Sequence, residues 1–215
     1  MSRRGLLITA VAVCGVAAGS ADADIVNGSF EDGMNGWTVV DNPVPFFALD
    51  SYAAGTANTF GWPWDNTPTD GAFSMVTGWD GEAGNISISQ DVLIDGGTLE
   101  FDYRAAWDTT FGATLPRDFS AIISGTGGGP VLDSMLFLSA DPDTTVTDTG
   151  QLAGSMDVSA FLGQTVTLTF EWTVPELNTG PAQFDLDNVR LTPTPGALAL
   201  LGLAGLCGRR RRRNA

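Results

Sequence analysis

The sequence predicts an all-β fold, an antiparallel β-sandwich of jelly-roll type, framed by a short apolar helix at each end of the chain. Three observations predict it. Roughly ten short runs of β-branched, aromatic and alternating residues follow one another along the chain, the pattern of a many-stranded antiparallel domain. The 27 glycines and 11 prolines, with many Asp, Asn and Thr, punctuate those runs as turn formers. Between the two ends of the chain, only one stretch, Val158–Gly163, has helical character.

The strand runs in chain order are Ile25–Phe30, Trp37–Val40, Phe46–Leu49, Phe73–Thr77 and Ile86–Ile94. They continue with Thr98–Trp107, Phe119–Ser124, Val131–Leu138, Thr165–Thr173 and Phe184–Leu191. Ile86-Ser87-Ile88-Ser89 and Val166 to Phe170 show the period of two that a half-buried strand needs. Asp95-Gly96-Gly97 between two runs predicts a hairpin turn. Val158–Gly163 predicts one helical turn, capped by Asp157 and ended by Gly163. Trp37 and Trp172 lie within strands and are assigned to the core. These elements fill residues 24–192 as one domain, with no internal repeat.

The ends have a different chemistry. Arg3-Arg4, an apolar run from Gly5 to Gly19 and Ala21-Asp22-Ala23 are the three parts of a secretory signal peptide spanning 1–23 and cleaved after Ala23. A buried core helix would have no use for the arginine pair or the A-x-A site. Ser2 to Leu7 also partly resembles a twin-arginine export signal, so the export machinery is either the general secretory or the twin-arginine route. At the other end, Pro193-Thr194-Pro195 stops a strand. An apolar run from Ala197 to Gly208 follows, and then Arg209, Arg210, Arg211 and two further arginines. The run is short against the ~20 residues of a spanning helix, and adjacent cations resist translocation. Residues 193–215 therefore read as a temporary stop, with transient membrane insertion. This layout resembles the PEP-CTERM sorting signal, with Pro-Thr-Pro where that family has Pro-Glu-Pro. The resemblance implies an exosortase-type processing enzyme as partner. It also implies retention at the inner membrane before delivery to the cell surface or extracellular matrix.

Composition excludes several functions. With residues 1–23 and 195–215 set aside, Arg104, Arg117 and Arg190 stand against all but one of the 25 acidic residues, a balance more negative than the whole-chain −15. Such a surface repels nucleic acid, so no nucleic-acid partner is expected. Both cysteines, Cys14 and Cys207, fall in the removed segments, so no disulfide holds the domain. The chain has no histidine, and its middle has no cysteine or lysine. Ser-His-Asp triads, thiol nucleophiles and Schiff-base lysines are thereby excluded. A glycoside hydrolase needs only two carboxylates, but no pair stands out.

Asn27-Gly28-Ser29-Phe30-Glu31, Gly36-Trp37-Thr38, Ser89-Gln90-Asp91-Val92, Asp157 to Gln164 and Phe184 to Val189 together resemble galactose-binding-like β-sandwiches, among them carbohydrate-binding modules. The resemblance implies a structural calcium joining the first turn to the last strand, with Glu31 and Asp187 as ligands and Asn27 and Gly33 as helpers. The plain alternative makes Glu31 a surface acid and Asp187 a strand flank. Carbohydrate would use exposed rings and polar side chains: Trp62, Trp64, Tyr52 and Asp65, with Phe60 beside them, in the loop 51–71, and Phe111 and Arg117 in the loop 108–117. Large aromatics also lid the ends of sandwiches, and Trp79 in its turn is the weaker candidate. The leading reading is an exported, non-catalytic surface or matrix protein whose domain binds polysaccharide. A purely structural envelope protein competes with it, and a glycoside hydrolase comes third. Trp62 and Trp64 lining a groove favour the first; both rings packed inward favour the second.

Overall fold

The computed structural model describes residues 25–42 and 45–193. The signal segment with Ala23 and the tail from Thr194, including Pro195, Arg209, Arg210 and Arg211, lie outside the described residues, and so do the segments where the two flanking helices were expected. Pro193 is the last described residue and is exposed.

Eleven strands build two antiparallel sheets among the described residues. The first has the order β1 (Thr38–Val40), β4 (Gly84–Leu93), β10 (Thr165–Val174), β6 (Arg117–Ser124), β7 (Val131–Ala140). The second has β2 (Pro45–Ala53), β3 (Phe73–Trp79), β11 (Ala182–Thr192) and β5 (Thr98–Asp108). Along the far edge of β5 lie β8 (Thr145–Val146) and β9 (Leu152–Asp157). Alternation sorts the side chains. Ile86 and Ile88, Phe119 and Ala121, and Phe170 and Trp172 point from the first sheet into a core met by Phe101, Tyr103, Phe184 and Leu186 from the second. The rings interlock, with Phe119 and Trp172 at 5.0 and 4.9 Å from Phe184. Trp37 and Trp172 are core residues, as expected; Trp172 lies in β10, while Trp37 stands one residue before β1 rather than within a strand.

Three expectations are corrected. Ile25–Phe30 is a turn: Asn27 and Phe30 hold φ of 53° and 56°, and Phe30 N–H donates to the Asn27 carbonyl at 3.1 Å. Asp95-Gly96-Gly97 closes no hairpin, because β4 is already paired on both edges and β5 belongs to the other sheet. The segment is a crossover between sheets. β8 and β9 escape the sequence pattern because one is two residues long and the other contains Gly154 and Ser155. Gly154 is required where it stands, since a Cβ would lie 2.2 Å from Cζ of Phe101. The helical turn is a single 3-10 turn, Ser159–Phe161, with Asp157 accepting from the Ser159 amide at 2.9 Å.

In β11 every residue from Ala182 to Asp187 is buried. Ala182, Phe184 and Leu186 face the core. Gln183, Asp185 and Asp187 point the other way, under the connection between β2 and β3, which crosses the outer face of the second sheet as a strap.

Candidate functional site

The strap is fastened by acceptors aimed at its backbone. The Gln183 amide oxygen accepts from the Thr59 N–H. Asp185 Oδ2 accepts from Thr67 N–H at 3.0 Å. Asp187 Oδ2 accepts from Thr69 and Asp70 at 2.6 and 2.8 Å. Glu31 Oε1 accepts from Ala72 and Phe73 at 2.7 and 2.8 Å. Inside the strap, Asn66 joins residues 52, 56 and 57, and Asn58 Nδ2 donates to the carbonyls of Trp62 and Trp64. Arg104, doubly bonded to Asp148 at 2.7 and 2.8 Å, lies 4.4 Å above the Trp64 ring. Burial pushes the carboxyls of Asp185 and Asp187 up to about 6, against the pull of these donors.

This arrangement corrects the choice of ring residues. Trp62 and Trp64 are 8% and 5% exposed, packed inward on Ala106, with the Trp64 indole N–H donating to the Thr147 carbonyl at 2.9 Å. Arg117 is also buried, and its Nη2 donates to Thr179 Oγ1 and the Gly180 carbonyl at 2.9 and 2.7 Å. Desolvation lowers its pKa while Asp80 and Glu176 oppose that. It fastens the loop before β11 and presents no face to a ligand. Tyr52 is half-buried, donating its hydroxyl to the Ala48 carbonyl at 3.0 Å, and Asp65 is exposed on the strap.

The residues expected to hold calcium do not fit one. The cation takes oxygen atoms only, six to eight of them. Glu31 and Asp187 face backbone N–H groups; Asp187 Oδ1 also accepts from the Asn188 amide at 2.7 Å. The Gly33 carbonyl accepts from Asn27 Nδ2, and Asn27 Oδ1 accepts from Asp32 N–H. The positions are those of a tie between first turn, strap and last strand, made by amides. Among the described residues no group of three or more His, Cys, Asp or Glu is placed to hold a metal ion.

The rings that face outward are phenylalanines at one end of the sandwich. Phe111, a candidate from the sequence, is 58% exposed, and Phe60 is 55% exposed. Phe46 is exposed as well, with Leu115 and Leu177. Register places them together. Thr59 sits against Gly78, which pairs with Gln183 beside Ala106, and Phe46 enters β2 across from Gly78 and Trp79. Phe111 lies on Gly180, just before β11. The loop carrying Phe111 and Leu115 is tied down by Glu176, which accepts from the amides of Thr114 and Leu115 at 2.7 and 2.9 Å. Phe60 itself sits in a tight turn closed by Trp62 N–H on the Thr59 carbonyl at 3.2 Å. Both central residues, Phe60 and Gly61, have positive φ, 58° and 72°. The ring leans on Trp62 at 5.5 Å and turns its other face to solvent. The sequence carried no signal separating Phe60 from the tryptophans beside it.

No family model matches the sequence, nor does any curated protein. Solved structures do match the fold. The carbohydrate-binding module TmCBM61, determined in complex with β-1,4-galactotriose, aligns with a TM-score of 0.50 at 14% identity, over 79% of this chain and 97% of its own. The CBM22-1 xylan-binding domain of Paenibacillus barcinonensis Xyn10C aligns at 0.39 with 18% identity, over 78% and 93%. The enzymatically active domain of bacteriophage CBA120 tailspike protein 4 aligns at 0.44 with 13% identity, over 77% of this chain and 20% of that one. The all-β two-sheet sandwich expected from the sequence is thus the fold found in carbohydrate-binding modules.

Proposed function

We propose that this is the non-catalytic polysaccharide-binding domain of an exported protein, delivered to the cell surface or extracellular matrix by its C-terminal sorting tail. The observation that carries the binding reading is the outward phenyl face of Phe60, Phe111 and Phe46. Exposed rings on pinned loops at one end of a rigid scaffold mark a binding surface. Sugar rings present C–H faces to such platforms, while Asp65, Asp108 and Asn178 nearby offer partners for hydroxyls. The same sandwich in TmCBM61 carries a galactotriose, which supports the ligand class. The export reading is supported by the A-x-A site and by the apolar run with its terminal arginines. The second reading, a structural protein with no sugar site, is favoured by the inward packing of Trp62 and Trp64.

Affinity electrophoresis through gels containing xylan, galactan or bacterial extracellular polysaccharide separates the two. Retardation is expected for the purified protein and its loss for Phe60→Ala/Phe111→Ala. Unhindered migration of the wild type across such a panel would leave the structural reading in possession.

A further inference from the structure

We infer a second, smaller carbohydrate site on the outer face of the first sheet, at the end of the sandwich remote from the phenyl face. An open pocket of about 320 Å³ lies there, lined by Thr38 of β1, Ser89 and Asp91 of β4, Thr167 of β10 and the Gly127-Gly128 turn between β6 and β7. That is the small end of the ~300–1,000 Å³ range of ligand pockets, suited to one or two sugar rings. The inference rests on the polysaccharide-binding reading for its ligand class, while its position and chemistry are independent of the phenyl face.

Register builds the lining. Thr38 pairs with Ser89, and Asp91 with Thr167, so their side chains share the outer face of neighbouring strands. The floor is fixed by Gln90, whose amide exchanges hydrogen bonds with the backbone N–H and carbonyl of Val26 at 2.9 and 3.2 Å. The overhanging turn needs glycine. Gly127 and Gly128 hold φ of 68° and 81°, and nothing lies within 4 Å of where a Cβ would project, so the backbone there is open to a ligand.

The polar groups select the ligand. Asp91 Oδ1 accepts from the Thr167 hydroxyl at 2.5 Å, which leaves Oδ2 as a fixed acceptor in the pocket. Thr38 and Ser89 add hydroxyls able both to donate and to accept. No lining residue is cationic and one is anionic, so an acidic ligand is repelled. A lone carboxylate is too few acids for a divalent cation. What remains is a neutral, hydroxyl-rich molecule whose neighbouring hydroxyls donate to Asp91 and bond with Ser89 and Thr38. A neutral sugar residue satisfies every term.

Position gives the site its consequence. β4 begins at Gly84, beside the turn where Asn178 N–H meets the Gly81 carbonyl, at the phenyl end. Asp91 is seven residues further along the strand, roughly 23 Å at ~3.3 Å per residue. Two sites that far apart on opposite sheets hold two separate glycan chains at once, so one domain bridges them; two segments of one long, folded-back chain would instead be held with raised avidity.

The test is amide-resolved NMR of the protein titrated with β-1,4-galactotriose, xylotriose and cellotriose, beside Ser89→Ala/Asp91→Ala. Expected are two separate sets of shifts, one around Phe60 and Phe111 and one around Gly127, Gly128 and Thr167. The variant is expected to weaken only the second set, by about tenfold or more for a lost carboxylate hydrogen bond. Shifts confined to the phenyl end overturn the second site and leave the binding function standing. Shifts confined to the glycine turn keep the second site and remove the phenyl face. Shifts at neither, with all three sugars at millimolar concentration, overturn both.

Discussion

Phe60 holds a left-handed backbone with φ of 58°, followed by Gly61 at 72°, in a turn that ordinarily takes Asn-Gly. A bulky residue there costs about 1–2 kcal/mol. Its ring leans on Trp62 at a tilt of 53° and is otherwise largely open to solvent, at 55% exposure. Strain kept at an exposed ring points to use of that ring. Phe60→Asn is therefore expected to hold or raise the thermal midpoint, by up to about 2–4 °C for a domain of this size, while reducing retardation by polysaccharide. A calorimetric scan beside the affinity gel checks both; a midpoint that falls together with binding would mean the ring serves stability alone. The neighbouring tryptophans show why the site was only partly legible. Phe111 lies where an exposed ring was expected, but the burial of Trp62 and Trp64 depends on acceptors far off in sequence. Thr67 and Asp185 are 118 residues apart, and no local pattern announces that pairing.

The strap is the element that decides which rings face outward, and its fit against the sheet is close at Gly78. A Cβ there would stand 1.9 Å from Thr59 Oγ1, so Gly78→Ala lifts the strap or distorts β3. The expected result is a red-shifted tryptophan emission with readier iodide quenching, as Trp62 and Trp64 become wet, while the circular dichroism of the sheets is retained. An unchanged emission maximum would show that the strap tolerates the methyl group and is less tightly seated than its hydrogen bonds imply. The strands were the legible part. Val166 to Phe170 and Ile86 to Ser89 alternate because one face of each meets the core. Their order was not legible, since Asp95-Gly96-Gly97 serves a crossover as readily as a hairpin, and only the occupied edges of β4 exclude the hairpin. The strap itself reads as a loop because its order comes from side chains of β11 and the first turn.

For the whole molecule, the acids decide how stability answers to solution conditions. The net charge of −15 opposes the compact state, and two of its acids are placed where charge costs most. Asp185 and Asp187 have folded-state values near 6, raised above 3.8 chiefly by burial, with each other's charge adding to the rise at Asp185. A carboxyl whose folded value lies above its unfolded one penalises the fold when ionised. That penalty is present in full above pH 6 and is relieved as pH falls from about 6 toward 4. Asp148 and Glu176 act oppositely: hydrogen bonds from Arg104 and from Thr114 hold their carboxyls below the ordinary range. The stability they give is lost only as pH falls below about 4. The thermal midpoint is therefore expected to rise from pH 7.5 to pH 5 and to turn down below 4. Asp185→Asn, which keeps an acceptor for Thr67 N–H, is expected to flatten the rise. Because Glu31 and Asp187 hold backbone amides, millimolar calcium or EDTA at matched ionic strength is expected to leave the midpoint unmoved at every pH. A calcium-dependent increase abolished in Asp187→Asn would instead place the cation at the strap, and the amide tie would then be its metal-free counterpart.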